Sequence, residues 1–450
     1  MGPHWFRRSD CPAVKADRAN LKSNFEDTMT ASVARKASHQ QSAKVVGLRP
    51  LQLAWLAGAV FVVSAGYGAL LPLLPGWLKP LMPDATTAEI GRHVGFLSGV
   101  YAAGVLIGAP LWGYVADRVG RGRILIIGLV GYVVSLLVLL VPEFAGLWGI
   151  YAMRGLTGFF VAAVVPVVSA LVAEHTPEDR RARRFAWLGA MSLFGFLFGP
   201  GLNAVAAWVA SWMGDAAASP SRLAQIVLVL SAVLGGAMML GLASTLPPSK
   251  AAKAVAETKK AAPKKGRPAA LLWLNGALLF VLAGFELGIV LQGQQEAGQS
   301  SLQASIMFAE CSLVMLAVNA LLFFTALLDK VSARILMGAG LIVAMAGLAV
   351  LAVHRGDAWM YLGVSLTSAG TGLVLPVIAY LAAGAAPKRL GATMGGLAAA
   401  AGFGQTVGSA AGGWLFGVLA QRTFGWLIVP LLLMLGLLFF RPGWWAKDAA

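Results

Sequence analysis

The chain has 450 residues, of which 58% are apolar and only 12% charged, and it carries a net charge of +16. A soluble globular domain holds about 25% charged residues, so this composition excludes an ordinary water-soluble enzyme. The apolar residues come in runs of about 20, enough for a helix to cross about 30 Å of hydrocarbon, which reads as an all-α membrane protein. An outer-membrane barrel would instead alternate apolar and polar residues over segments of about ten, and no such segment is present.

Residues 1–50 are polar, with nine basic and four acidic side chains. They lack the apolar core of a secretory signal, and Phe6 stands where a myristoylation motif needs Ser or Thr. The segment reads as a disordered cytosolic tail, with Met29 as an alternative start. Six apolar runs follow, near 52–77, 94–115, 124–142, 146–173, 186–209 and 225–246. Residues 248–269, with Pro263, Pro268 and seven basic side chains, read as a solvated linker. Six more runs lie near 270–291, 304–328, 335–352, 359–383, 391–419 and 424–440, before a short tail, 441–450. The expected architecture is therefore twelve transmembrane helices in two six-helix bundles, 51–247 and 270–440.

An even number of spans puts both termini on one side. With the tails inside, 29 of the 35 lysines and arginines fall on inner segments and five on outer loops, and Arg154 lies within a span. This is the positive-inside bias, so both termini are expected in the cytosol of a plasma or bacterial inner membrane. The basic excess then reports orientation and contact with anionic lipid headgroups, so no nucleic-acid partner is expected. A monomer is expected.

Two cysteines, Cys11 in the tail and Cys311 in a span, offer neither a disulfide nor a metal site. His4, His39, His93, His175 and His354 all fall in tails, loops or span ends. No nucleophile elbow or phosphate-binding loop is present, so the reading assigns no catalytic residue, no metal and no cofactor. The proton gradient is the expected energy source.

The two halves repeat each other. Pro166 and Pro177 are echoed by Pro376 and Pro387, and Asp117 before Arg123-Ile124-Leu125 by Asp329 before Arg334-Ile335-Leu336. Phe194-Gly195 with Gly199 is echoed by Phe403-Gly404 with Gly408. These matches keep one order and direction, which places the axis relating the halves along the membrane normal and suits alternating access.

The segment Gly113 to Arg123 resembles the loop signature between spans two and three of the major facilitator superfamily, through Gly113, Asp117, Arg118, Gly120 and Arg121. Arg154 and Gly158 resemble the family's Arg-x-x-x-Gly motif in span four, with Thr157 where Gln is common. Gly195, Gly199 and Pro200 resemble the antiporter motif of drug:proton exporters, although Asn203 stands where a glycine is expected. Tetracycline-type and multidrug exporters are the nearest likeness. The resemblance implies an inner gate in which Asp117 meets the N-terminal end of span eleven, where a helix dipole favours a carboxylate. It also implies that spans one, four, seven and ten line the cavity.

Glu286 and Glu310 are the two acids within apolar runs, beside Arg154. A charge at mid-membrane costs about 2.5–3.5 kcal/mol, so such residues face the bundle interior or a cavity. At about 1.5 Å per residue, all three fall in one layer of the outer half of the membrane. Glu286, on span seven, ranks first as proton carrier and Glu310 second, while a structural Arg–Glu pair is the bland alternative. Tyr67, Tyr101, Asn275, Asn319, Tyr380 and Gln405 are candidates for cavity lining.

The sequence thus reads as a secondary transporter that exports a small organic molecule in exchange for protons. Coupled uptake of a metabolite and a transporter-like receptor are the alternatives. Reporter fusions after Pro263 and after Asp448 should read cytosolic and one after Gln299 external; an external signal at either of the first two would overturn the topology.

Overall fold

The computed structural model describes residues 48–140, 142–176, 178–215, 218–246, 267–295, 301–325, 327–385 and 390–440. Most of the expected N-terminal tail and linker, and the C-terminal tail, lie outside these residues. All regular structure among the described residues is helical. The long helices are α1 (Pro50–Leu70), α2 (Thr87–Val119), α3 (Arg121–Val138), α4 (Pro142–Val161), α5 (Glu178–Trp212) and α6 (Pro220–Thr245). The second half supplies α7 (Arg267–Gln295), α8 (Ser301–Thr325), α9 (Ala333–Val353), α10 (Asp357–Ala385), α11 (Leu390–Leu419) and α12 (Ile428–Phe440).

Local chemistry sets several of the boundaries. Helix α2 starts on a capping box in which Thr86 Oγ1 accepts from the Glu89 amide at 3.2 Å and Glu89 Oε2 accepts from the Thr86 amide at 2.8 Å. It ends at Gly120, whose φ of 106° is disfavoured for a residue with a side chain, so the glycine in the loop signature is needed for the turn into α3. Pro166 sits at the start of a further helix, Val165–Glu174, separated from α4 by a turn at 162–164. A proline there cannot donate to the preceding turn, and the break follows. Its repeat partner Pro376 lies inside an uninterrupted α10.

Eleven stretches are long and apolar enough to cross a membrane, the last of them spanning residues 393–440. That stretch holds two helices, α11 and α12, which run in opposite directions. Gly425 lies beside Ala352 at the end of α9, while Phe439 lies under Arg334 at the start of α9. The outward faces are apolar, with Trp148, Trp212 and Trp426 exposed near the end of the bundle remote from residue 48. Tryptophan is enriched at membrane interfaces, and these side chains mark the one on this far side.

Helix pairing repeats between the halves. In the first, α1 packs on α5 and α6, α2 on α4, and α3 on α4 and α6. In the second, α7 packs on α11 and α12, α8 on α10, and α9 on α10 and α12. The halves meet through α2 with α11 and through α5 with α8, two contacts that the same two-fold relation exchanges.

Glycines permit the closest of these approaches. A Cβ on Gly199 would lie 2.5 Å from the Gly68 carbonyl carbon, and one on Gly408 would lie 2.7 Å from the Phe280 Cα. The repeated Gly195/Gly199 and Gly404/Gly408 pairs are therefore the places where α5 lies against α1 and α11 against α7. Without a hydrophobic drive between helices in lipid, such close packing is a main source of association.

Gly408→Val should lower the yield of monodisperse protein and its unfolding midpoint, because overpacking costs about 1–3 kcal/mol where neighbours cannot yield. Gly236→Ala, where a Cβ meets nothing within 4 Å, should hold or raise the midpoint. Thermal unfolding of the purified protein in detergent checks both.

Candidate functional site

Between the halves lies a cavity of about 340 Å³. Helices α1, α2, α4 and α5 line it from one side and α7, α8, α10 and α11 from the other. Aliphatic and aromatic groups such as Val105, Phe196, Leu282 and Met315 form much of its wall, with Tyr67, Tyr101, Glu286 and Gln405 among the polar groups facing in.

Beyond the cavity on the far side, the halves close tightly. A Cβ on Gly95 would meet the Gly413 Cα at 2.7 Å, and one on Gly417 would meet the Ala88 carbonyl oxygen at 2.8 Å. Asn203 Nδ2 donates to Ser305 Oγ at 2.9 Å, a buried bond that joins α5 to α8. On the near side, a Cβ on Gly402 would meet Leu106 Cδ1 at 3.3 Å, and below that level the packing loosens. A Cβ built on Gly113, Gly189 or Gly395, on three of the lining helices, would meet nothing within 4 Å.

Arg154 is 2% exposed and forms no ion pair among the described residues. Its guanidinium carbon lies 4.7 Å from the Tyr101 ring centroid and 6.0 Å from that of Tyr67. The two rings stack at 5.0 Å, so the cation rests on a π surface while its Nε and Nη2 find no acceptor. The bland alternative of an Arg–Glu pair is not the arrangement seen. Tyr67 shares the cavity wall with Gln405 of the opposite half.

Glu286 is 8% exposed, lines the cavity, and has no hydrogen-bond or ion-pair partner among the described residues. Glu310 is placed differently. Its Oε1 accepts a hydrogen bond from Ser365 of α10, its Oε2 is buried without a partner, and it does not line the cavity. Asn275 donates to the Leu397 carbonyl at 2.8 Å and Asn319 to the Met315 carbonyl of its own helix at 2.7 Å, while Tyr380 lies off the cavity wall.

The loop-signature residues lie at the near end of α2 and the start of α3. Asp117 is 64% exposed and accepts from Arg121 Nη2 at 3.2 Å. Arg118 covers the Tyr114 ring at 3.9 Å. Gly113 faces open space and makes no close helix contact here. Residues 386–389, ahead of α11, lie outside the described residues, and the expected partner of Asp117 lies partly among them. In span five, Gly195 fits against the Phe61 carbonyl of α1, and Pro200 lies within an unbroken α5.

Sequence reasoning missed Ser64 and Ser192, whose hydroxyls meet at 2.9 Å across α1 and α5 in the cavity wall. It also missed Cys311 as a lining group. Small polar residues in apolar runs give no signal of which face they occupy.

The chain matches the family model described as Major Facilitator Superfamily over residues 56–323 and 294–444. It is 34% identical over 137 residues to the class B tetracycline resistance protein of Escherichia coli, covering 30% of this chain and 33% of that protein. It is 29% identical over 154 residues to the quinolone resistance protein NorA of Staphylococcus aureus, covering 34% of this chain and 38% of that protein. These matches span little more than a third of the relatives' length. Among solved structures, the human organic anion transporter MFSD10 (TETRAN) superimposes with a TM-score of 0.64 at 18% identity, over 87% of this chain and all of that one. The nucleoside transporter NupG does so with a TM-score of 0.63 at 13% identity, over 86% of this chain and 99% of that one. Likeness at such identity shows the fold alone.

Tyr101→Leu removes the ring under Arg154 and should lower the unfolding midpoint of the purified protein, since a desolvated cation–π contact contributes about 2 kcal/mol. Tyr101→Phe should keep it, because the ring and not the hydroxyl meets the guanidinium. Equal midpoints for the two variants would show that Arg154 is held by other means.

Proposed function

We propose that this chain, which belongs to the major facilitator superfamily near its multidrug and tetracycline exporters, exports a partly apolar organic molecule in exchange for protons. It is a transporter and a multi-pass membrane protein, not an enzyme. The observation that carries the proposal is Glu286, a carboxyl at the cavity wall between the halves with no partner among the described residues. A carboxyl that meets dry protein in one state of the cavity and water in the other changes its protonation between them. Glu286 and the Arg154–Tyr101–Tyr67 stack border one cavity, so substrate entry and proton release can be coupled there.

In this reading both termini are cytosolic, and the structure is the state open to the cytosol and closed outside by Gly95–Gly413 and Asn203–Ser305. Asp117 is exposed in this state and holds only Arg121 among the described residues. When the near side closes, Asp117 would meet the N-terminal end of α11 and hold the halves together there. Names of the relatives, a tetracycline and a quinolone resistance protein, make those two compound classes the first substrates to try. The apolar wall supports a substrate of that character over a sugar.

Glu286→Gln keeps volume and hydrogen bonding but cannot ionise. In vesicles reconstituted with the variant, adding tetracycline or a quinolone should no longer move protons, measured as internal pH, while binding of the compound persists. Glu310→Gln, off the cavity, should leave proton movement near the unmodified level. Proton movement at the unmodified rate in Glu286→Gln would overturn the assignment.

A further inference from the structure

At the far end of the second half a separate cavity of about 530 Å³ opens between the end of α7, the end of α9 and the turn that joins α11 to α12. Gln292, Arg355, Gln421 and Arg422 supply its polar lining, and no acidic side chain lines it among the described residues. The turn is built to present these groups. Ala420 takes a φ of 50°, a left-handed conformation uncommon outside glycine, which is kept only where the surroundings enforce it. Gln421 supplies part of that enforcement. Its Nε2 donates to the Leu351 and His354 carbonyls at 2.7 and 2.6 Å, and its Oε1 accepts from Arg355 Nε at 3.1 Å.

Arg355 is thereby held by one nitrogen, and its terminal nitrogens are left without a partner among the described residues. Arg422 has no partner there either. Gln292 is 2% exposed, lines the cavity, and neither its Nε2 nor its Oε1 has a hydrogen-bond partner. A buried amide without partners is costly, and a group that fills the cavity and accepts from Nε2 removes the donor's share of that cost. Two guanidinium groups and an amide N–H₂ converging on one space form a donor set suited to an oxyanion.

The corresponding cavity of the first half differs. It holds about 420 Å³ between α3, α5 and the start of α6, and its lone arginine, Arg222, donates to Gln225 at 3.4 Å beside apolar groups such as Leu140, Val209 and Met213. The shared repeat therefore does not require the basic cluster. Gln292 also lies six residues beyond Glu286, about 9 Å further along α7 and turned about 240° around it, so this site is distinct from the central cavity.

We propose that Arg355, Arg422 and Gln292 form a binding site at the far face of the second half for an anionic group, a carboxylate or a phosphate. The group arrives either on a free small anion or on a lipid headgroup. Full-length protein in nanodiscs of phosphatidylcholine, titrated calorimetrically with inorganic phosphate and with citrate, should bind at least one of them. Arg355→Gln combined with Arg422→Gln should weaken that binding about tenfold or more, which corresponds to about 1.4 kcal/mol. Gln292→Leu should weaken it as well, and Arg222→Gln should leave it unchanged. Loss of the titration when phosphatidylglycerol is included identifies the headgroup as occupant, and an unaltered titration identifies the free anion. Absence of binding in neutral nanodiscs, or equal binding by the double variant with monodisperse elution, would overturn the proposal.

Discussion

Backbone-to-backbone contact between helices is the constraint on which this structure depends. Hydrocarbon offers helices little reason to associate beyond packing, so the surfaces that meet must fit to the ångström. Gly199 on α5 and Gly408 on α11 place their helices against α1 and α7 within each half, and Gly95 with Gly413 locks the halves on the far side. Each contact of this kind has few alternatives, because only a missing side chain admits the neighbouring backbone. The cavity is the space that remains where those contacts stop. Its closure at one end and looseness at the other follow from where glycine pairs lie along α2 and α11.

Within that frame, charge is confined by what can hold it. Arg154 is placed on aromatic faces and not on a carboxylate, which leaves Glu286 without a partner at the cavity wall. Had the two been paired, the acid would be fixed in one state, and exchange of its proton would need the pair to break. Glu310 shows the contrast: it accepts from Ser365 across α8 and α10, a bond within one half.

Much of this was legible in the sequence. Span order, the internal repeat, the turn at Gly120 and the burial of Arg154 and Glu286 all follow from composition, spacing and the expense of charge in lipid. Tyr67, Tyr101 and Gln405 were readable as polar groups in apolar runs, yet Asn275, Asn319 and Tyr380 carried the same signal and do not line the cavity. Helical runs that are apolar all round give no periodicity to show which face turns inward, so the sequence could not separate these sets. Nor could it show that Glu286 would line the cavity and Glu310 would not. The break at 162–164 was also hidden, because Pro166 and its repeat partner Pro376 look alike and only the neighbouring packing decides whether the helix continues.

The cradle of Arg154 has a consequence for how the protein is made. Tyr67 and Tyr101 stand on α1 and α2, and Arg154 on α4, so both rings that hold the cation are synthesised before the first residue of α7. The ribosome delivers the N-terminal half first, and units that are complete in themselves can settle as they emerge. A membrane-inserted first half can therefore bury its one intramembrane cation without waiting for Glu286. The second half then docks onto a finished partner, and the unpaired carboxyl it brings is free of any duty in assembly.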